Sequence, residues 1–159
     1  MKLYHGSNAE VATPKLLQSV RALDFGRAFY LTSDFDQASR WAKTSVLRRG
    51  EGQAVVSVYE FDEVASLRLR ALNFSGPDSA WLKYVSRNRN CMTDVTDYDI
   101  VSGPVANDNT MPVLNLYFKG AYSEDEALRR LLPQRLRDQF ALKTDAALAC
   151  LKFIEGIAV

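Results

Sequence analysis

Histidine, cysteine and long apolar runs are scarce in this chain, and each scarcity excludes a class of protein. One histidine cannot build a histidine-rich metal site. The two cysteines, Cys91 and Cys150, lack metal-type spacing and are too few for a disulfide scaffold. No stretch approaches the roughly 18 apolar residues of a membrane span, and residues 1–6 contain no signal-peptide core. We therefore expect a soluble, cytoplasmic protein without a metal.

The composition is that of an ordinary globular domain. The chain has 159 residues, of which 47% are hydrophobic and 25% charged, so it can bury a core without disulfides. A net charge of +1 provides no global field that would attract nucleic acid. Arginines nevertheless cluster locally, which is typical of solvated faces and also leaves room for a phosphate-bearing ligand. These clusters are Arg48-Arg49, Arg68 with Arg70, Arg87 with Arg89, and Arg129-Arg130 with Arg135 and Arg137.

Short elements separated by frequent turn-forming residues predict an α+β fold in a single domain over residues 1–159. The residue patterns indicate strands at 3–5, 29–32, 54–61, 67–69, 98–101, 114–118, 139–142 and 153–159. Helices are predicted at 36–48 after a Ser33 or Asp34 cap, at 79–88, at 123–132 with a capping box, and from Thr144 to about 151. Strands and helices interleave without regular βαβ alternation, which favours α+β over a doubly wound sheet.

Three segments carry residue types that are unusual for packing alone. The first is Tyr4-His5-Gly6-Ser7, a lone histidine at a strand end before glycine and serine. The second is residues 24–32, followed by Trp41, and the third is residues 138–142, where Gln139 opens an apolar strand. Taken singly, they are typical of a turn, an aromatic core and a strand edge. The phosphate-binding loop, the glycine-rich dinucleotide fingerprint and the His-Glu-x-x-His motif are all missing.

In order and spacing, the three segments resemble the signature elements of the ADP-ribosyltransferase superfamily. The resemblance is to its diphtheria-toxin-like and poly(ADP-ribose)-polymerase-like branch, which carries a His-Tyr-Glu constellation. His5-Gly6 matches the first element and Tyr30 the second. Trp41 matches a second aromatic on the next helix, 11 positions after Tyr30 as in the toxin branch. Gln139 stands where that branch has glutamate.

The chain is most similar to an uncharacterised family of small bacterial proteins within that superfamily. The similarity extends over most of the chain, and glutamine is also found at the third position there. The shared motifs are at residues 3–7, 24–32, 37–41, 58–61, 81–89, 98–101, 103–108 and 139–140. The resemblance implies a split β-sandwich with flanking helices and transfer of ADP-ribose from NAD, with release of nicotinamide.

The resemblance also implies a role for each matched residue. His5, Tyr30 and Gln139 are the expected catalytic set, and His5, Gly6, Ser7, Arg27, Tyr30, Trp41 and Gln139 the expected NAD-binding set. Tyr30 and Trp41 would enclose the cationic pyridinium, at about 0.5–2 kcal/mol each. Gly6 would expose backbone groups to the carboxamide.

On the ribose side, the resemblance implies that His5 bonds the adenosine ribose and Gln139 the 2′-hydroxyl of the nicotinamide ribose. Arg27 or Arg21 could hold the pyrophosphate, and Arg27, beside the second strand, is favoured. A neutral amide accepts a hydrogen bond but is no base at neutral pH. Hence we hypothesise that the acceptor's nucleophile is already competent, or that Asp99, Asp108 or Glu126 assists.

Four functions remain open from the sequence. The first is an ADP-ribosyltransferase acting on a protein or nucleic-acid target, as a toxin with an antitoxin or immunity protein, or as an effector. The second is a non-catalytic module that binds NAD or ADP-ribose. The third, an RNA 2′-phosphotransferase, needs a second histidine that this chain lacks. The fourth is a purely structural α+β domain.

Overall fold

The computed structural model describes residues 1–17, 22–91 and 98–159, except for the side chain of Cys91. Within them the strands are β1 Lys2–Ser7, β2 Phe29–Leu31, β3 Val55–Phe61, β4 Ala71–Asn73, β5 Ile100–Pro104, β6 Asp138–Leu142 and β7 Leu151–Ala158. The helices are α1 Phe35–Arg49, α2 Glu63–Ser66, α3 Ser79–Cys91, α4 Met111–Phe118, α5 Glu124–Leu131 and α6 Asp145–Leu148.

The strands form two sheets, which confirms the α+β expectation. One sheet has three strands in the order β1-β3-β7, and the other has four in the order β2-β6-β5-β4. Their pairings are antiparallel, except that β4 runs parallel to β5. Strands that are neighbours in space are thus mostly distant in sequence, so that the sheets bring together residues from both ends of the chain.

Alternation along β1 sends its side chains to two different layers. Leu3 and His5 face the second sheet, where the His5 ring stacks on Phe29 with centroids 4.3 Å apart. Tyr4 and Gly6 face α1, and the Tyr4 ring meets Phe35 edge-on at 5.5 Å. The first sheet therefore lies between α1 and the second sheet.

The second sheet also separates two cores. The β2 side chains Phe29 and Leu31 belong to the cluster shared with the first sheet, whereas Tyr30 between them packs into the cluster on the opposite face. Helix α3 supplies the fully buried Trp81 and Val85 to that second cluster. Burying each such side chain contributes about 1.5–3 kcal/mol.

Helices α1 and α5 begin directly after polar residues whose side chains cap the first turn. Asp34 caps α1 by accepting from the Gln37 amide at 2.8 Å, and Gly50 closes the helix in the left-handed conformation. Ser123 caps α5 by accepting from the Glu126 amide at 3.2 Å, as its motif predicts. The well-capped α1 is the element that carries Trp41 to the site.

The strand prediction at 114–118 was wrong. Residues 111–118 form helix α4, because Pro112 suits a first helical turn and Leu114, Tyr117 and Phe118 recur at helical spacing. Such a short apolar run fits a strand or a helix equally well until its neighbours are known.

Two boundaries were also misplaced. The strand expected at 67–69 lies at Ala71–Asn73, after the short helix α2. The last helix ends at Leu148 rather than near 151, since Leu151 already pairs with Phe61 in the sheet.

Among the described residues, no helix is long and apolar enough to cross a membrane.

Candidate functional site

The two sheets approach each other at the edge where β1 meets β2. The contact is one antiparallel bridge, in which the Tyr4 and Thr32 backbones exchange hydrogen bonds of 2.9 and 3.0 Å. A cavity of about 340 Å³ lies next to this bridge, lined by residues of β1, β2 and α1. Cofactor pockets commonly enclose about 300–1,000 Å³.

Five of the seven sequence-predicted site residues line this cavity. His5 and Gly6 come from β1, Tyr30 from β2, Trp41 from α1 and Gln139 from β6. Tyr30 is paired with Ala141, and Gln139 is two residues before Ala141, so pleating places both on one face of the second sheet. Residues 134 positions apart in the sequence, His5 and Gln139, thus face the same space.

The His5 ring is held in one tautomer. Its Nδ1 lies 2.7 Å from the Tyr30 carbonyl oxygen, which can only accept, so Nδ1 carries the proton. The dense packing around the ring lowers the pKa of His5 below its usual 6.5, and the Tyr30 carbonyl offsets this only partly. His5 is therefore neutral at pH 7, and its Nε2 can accept a hydrogen bond from a ligand hydroxyl.

The Tyr30 hydroxyl is committed to the turn that precedes its strand. It donates to the Gly26 carbonyl at 2.7 Å and accepts from the Phe25 amide at 3.1 Å. Burial raises the pKa of Tyr30 far above its usual value of 10, with the nearby Asp24 carboxylate adding to the rise. The hydroxyl is thus a structural group, and the ring is what Tyr30 offers to the cavity.

Tyr30→Phe should lower the free energy of unfolding by about 1–2 kcal/mol, because the Gly26 carbonyl and the Phe25 amide each lose a partner. Urea denaturation measures this loss. Tyr4→Phe is the matched control, since no bond to the hydroxyl of this partly buried tyrosine is found among the described residues. Equal stabilities for the two variants would show that the hydrogen bonds of the Tyr30 hydroxyl do not stabilise the fold.

Trp41 reaches the cavity through the periodicity of α1. Trp41, Thr44, Ser45 and Arg48 recur at helical spacing and all line the cavity. The sequence analysis named Arg48 as part of a basic cluster but not as a site residue, although extending the helical spacing from Trp41 would have placed it in the site. Among the described residues, Arg48 has no acidic partner.

Gly6 is required by the packing of α1. A Cβ atom at this position would lie 1.9 Å from the Ala38 carbonyl oxygen and 2.7 Å from the Ala42 nitrogen. Helix α1 can therefore lie this close to β1 only if position 6 carries no side chain. The close approach sets where Trp41 stands relative to Tyr30.

Gln139 is buried, with 3% of its surface exposed, and its amide is oriented by two acceptors. Its Nε2 donates to Asp24 Oδ2 at 2.9 Å and to the Pro104 carbonyl at 3.2 Å. Neither acceptor can donate, so the nitrogen must face them. No donor to Oε1 is found among the described residues, which leaves that oxygen for a ligand in the cavity.

Asp24, which also lines the cavity, links helix α3, strand β6 and the segment after β5. It is 4% exposed, and its Oδ1 pairs with Arg89 of α3, 2.6 Å from Nε and 2.5 Å from Nη2. Its Oδ2 accepts from the Ala106 amide at 3.0 Å as well as from Gln139. Both Asp24 and Arg89 fall within the shared sequence motifs, yet only the structure brings them to Gln139.

Two further cavities of about 440 Å³ adjoin the first one. One shares His5, Gly6, Tyr30 and Arg48 with it and adds polar and basic residues, namely Ser7, Thr13, Lys15 and Arg49. The other shares Trp41 and Thr44 and adds Arg40, Arg135, Arg137 and Asp108. We refer to these three adjoining cavities along α1 as the groove, and basic side chains line both of its outer cavities.

The remaining sequence-predicted residues lie elsewhere. Ser7 lines the adjoining cavity and not the central one. Arg27 is outside both, and its Nη2 donates to the Leu16 carbonyl at 3.1 Å. Arg21 falls outside the described residues.

Of the three acids considered as helpers, two are bound elsewhere. Asp99 accepts from the Arg70 amide and the Thr144 hydroxyl, contacts that hold the pKa of its carboxyl below the usual value. Glu126 pairs with Arg129 and Arg130 on α5. Asp108 lines the groove at its Trp41 end.

No group of three metal-ligating side chains occurs in residues 1–17, 22–91 and 98–159.

A comparison with known protein families finds a match over most of the chain. The family model described as "Protein of unknown function (DUF3990)" matches residues 1–153 of the chain. No curated protein and no solved structure matches it.

Proposed function

Because the chain belongs to the DUF3990 family, whose description states no activity, we propose its function from the cavity: NAD-dependent transfer of ADP-ribose onto a macromolecule. The observation that carries the proposal is that His5, Tyr30, Trp41 and Gln139 line one cavity of about 340 Å³. The two sheets that part at this cavity also fit the split β-sandwich of ADP-ribosyltransferases.

The Tyr30 and Trp41 rings form the nicotinamide subsite in this proposal. NAD carries a positive pyridinium, which an aromatic face attracts by about 0.5–2 kcal/mol. The ring loses that charge as it leaves, so the contact contributes to binding more than to rate. The buried Tyr30 hydroxyl cannot compete as a nucleophile, because its hydrogen bonds are already formed with the turn.

Gln139 orients the nicotinamide ribose. Its Oε1 accepts a hydrogen bond from the 2′-hydroxyl, while the glycosidic bond from ribose C1′ to the ring nitrogen breaks. The bonding pair leaves with nicotinamide and neutralises the pyridinium, and the sugar becomes oxocarbenium-like, as in other glycosidic cleavages. A nucleophile on the acceptor then adds to C1′ and loses its proton.

The ADP half extends along the groove toward Lys15, Arg48 and Arg49. Nε2 of His5 accepts a hydrogen bond from a hydroxyl of the adenosine ribose, consistent with the tautomer set by the Tyr30 carbonyl. Arg48 lines both cavities and so lies where the pyrophosphate passes from one to the other. It takes the phosphate-binding role that the sequence analysis gave to Arg27.

The acceptor is a protein or nucleic acid that enters from the Trp41 end, beside Arg40 and Arg135. We propose further that the protein acts in the cytoplasm as a toxin or effector, countered by an antitoxin or immunity protein. Co-expression with its genomic neighbours tests that part: a neighbour that restores growth supports it, and toxicity unaffected by every neighbour contradicts it.

Incubation of the purified protein and a lysate with NAD labelled in the nicotinamide ring tests the activity. We expect labelled nicotinamide to be released, and ADP-ribose from adenine-labelled NAD to appear in the protein or nucleic-acid fraction. Absence of NAD binding in a thermal-shift assay would eliminate the proposal. A ligand at 100 times its dissociation constant should add about 2.7 kcal/mol of stability.

Gln139 also keeps a second function under consideration, a non-catalytic module that binds NAD or ADP-ribose. An amide supplies no base, so this constellation can hold the dinucleotide without transferring it. The same two assays distinguish the functions, since a module shows the thermal shift without release of nicotinamide.

Arg48→Met should raise the KM for NAD about 10-fold and change kcat little. The methionine keeps the aliphatic stem but removes the guanidinium, and one charge-assisted hydrogen bond contributes about 1.5–3 kcal/mol. Steady-state nicotinamide release measures both constants. Arg68→Met, at an exposed arginine away from the groove, is the control. A KM equal to the wild-type value would remove Arg48 from the phosphate site.

A further inference from the structure

The buried contact between Asp24 and Gln139 places a negative charge directly behind the neutral amide. Asp24 Oδ2 lies 2.9 Å from Gln139 Nε2, and both side chains line the central cavity. Both side chains are almost fully buried, with 4% and 3% of their surface exposed. Glutamate, the residue that Gln139 replaces in the resembled constellation, would bring its own carboxylate to this point.

We propose that Asp24 is a positioning residue, which fixes the Gln139 amide so that Oε1 faces the cavity and accepts a ligand hydroxyl. The inference rests on the proposed function for the identity of that ligand, a ribose. The charge behind the amide also polarises it. Donation from Nε2 to a carboxylate increases the electron density on Oε1, because hydrogen bonds in a chain strengthen one another. The negative charge of the site thus acts through an amide rather than from position 139 itself.

The surroundings of Nε2 require an amide at this position. A carboxylate in the same conformation would put an oxygen 2.9 Å from Asp24 Oδ2 and 3.2 Å from the Pro104 carbonyl, both of which only accept. It would have to retain a proton or be displaced, since two buried carboxylates cannot both be charged at that distance. Arg89 cannot neutralise a second carboxylate, as it already pairs with Asp24 Oδ1.

The remaining contacts of Asp24 hold it in place for this role. Arg89 from α3 and the Ala106 amide, which follows β5, approach it from two sides. The Asp24 carboxylate cannot turn away from Gln139 without breaking these bonds. Loss of the charge at position 24 should therefore change the orientation of Gln139 more than the binding of the aromatic subsite.

A double-mutant cycle at positions 24 and 139 tests the proposal on the full chain. We expect Gln139→Glu to lower the thermal midpoint by about 5 °C without NAD. In an Asp24→Asn background, the same substitution should lower the midpoint by half as much or less. With NAD, Asp24→Asn should lower kcat about 10-fold and change KM less than about 2-fold. The factor by which Gln139→Glu lowers kcat should be about 10-fold smaller in the Asp24→Asn background than in the wild type.

Asp34→Asn is the matched control, because it also removes an aspartate that pairs with an arginine, Arg137, but the Gln139 amide donates to Asp24 and Pro104 rather than to Asp34. Asparagine still caps α1 at this position. The control should show no coupling with Gln139→Glu and a wild-type kcat. Strictly additive midpoints in the 24/139 cycle, or a Gln139→Glu variant as stable as the wild type, would overturn the proposal. The midpoints are measured without NAD, so they test the coupling of Asp24 and Gln139 even if the wild type releases no nicotinamide. A wild type that releases none would contradict only the proposed transferase activity.

Discussion

Gly6→Ala should be strongly destabilising, lowering the free energy of unfolding by about 3 kcal/mol. The added Cβ would lie 1.9 Å from the Ala38 carbonyl oxygen and 2.7 Å from the Ala42 nitrogen. Both atoms belong to the backbone of α1, so no side chain can rotate to relieve the contact. The helix must move off β1, or the strand must leave its pairing with β3, in which Gly6 faces Val56.

Urea denaturation and thermal melting measure the loss. Gly76→Ala is the matched control, because a Cβ there meets nothing within 4 Å and the backbone is not left-handed. We expect Gly76→Ala to be within about 0.5 kcal/mol of the wild type. If Gly6→Ala were equally neutral, α1 would not pack on β1 at the described distance.

The displacement of α1 should also reduce NAD binding, since Trp41 moves with the helix while Tyr30 stays on β2. The resemblance assigns Gly6 to contact with the nicotinamide carboxamide, and the structure adds the packing requirement. A thermal-shift titration on the folded fraction of Gly6→Ala would show weaker binding on either account, whereas the stability loss without NAD tests the packing alone.

Gln139→Met should reduce nicotinamide release about 100-fold or more. Methionine has nearly the same shape but offers no carbonyl oxygen to the 2′-hydroxyl, and a removed hydrogen bond to a reacting sugar commonly costs about 2.7–4 kcal/mol in the barrier. Among the described residues, the substitution also leaves Asp24 Oδ2 with only the Ala106 amide as a partner. Single-turnover release of labelled nicotinamide measures the chemical step directly.

Gln37→Met provides the control for a lost buried amide. Gln37 is 5% exposed, and its Nε2 likewise donates to two oxygens, Thr32 Oγ1 at 3.0 Å and the Asp138 carbonyl at 2.7 Å. Its substitution should cost comparable stability, about 1–3 kcal/mol, without lowering the single-turnover rate of the folded protein. A Gln139→Met variant that releases nicotinamide at the wild-type rate would remove Gln139 from the reaction.

Helices and strands with strong local signals were predictable from the sequence. The Ser123 and Thr144 caps, the β-branched run of β3 and the helical spacing of Ala38, Trp41 and Ala42 act between near neighbours, so the sequence alone displays them. The strand predicted at 114–118 was wrong because its periodicity is ambiguous, and burial against α3 and α5 selects the helix.

The identities of five cavity residues were also predictable, because His5, Gly6, Tyr30, Trp41 and Gln139 resemble a family pattern in order and spacing. Their proximity was not, since it depends on strand pairing over long separations. Gln139 faces the same cavity as His5 only because β6 pairs with β2 and β2 bridges to β1.

The amino-acid sequence by itself determined the fold class, most local elements and the residue types available for a site. The tertiary structure alone decided that Arg48 and not Arg27 lines the cavity, that Gly6 admits α1, and that Asp24 stands behind Gln139. The physical reason is that caps and periodicity act over a few residues. Cavity walls, buried ion pairs and backbone clearances, by contrast, arise between segments up to 134 residues apart.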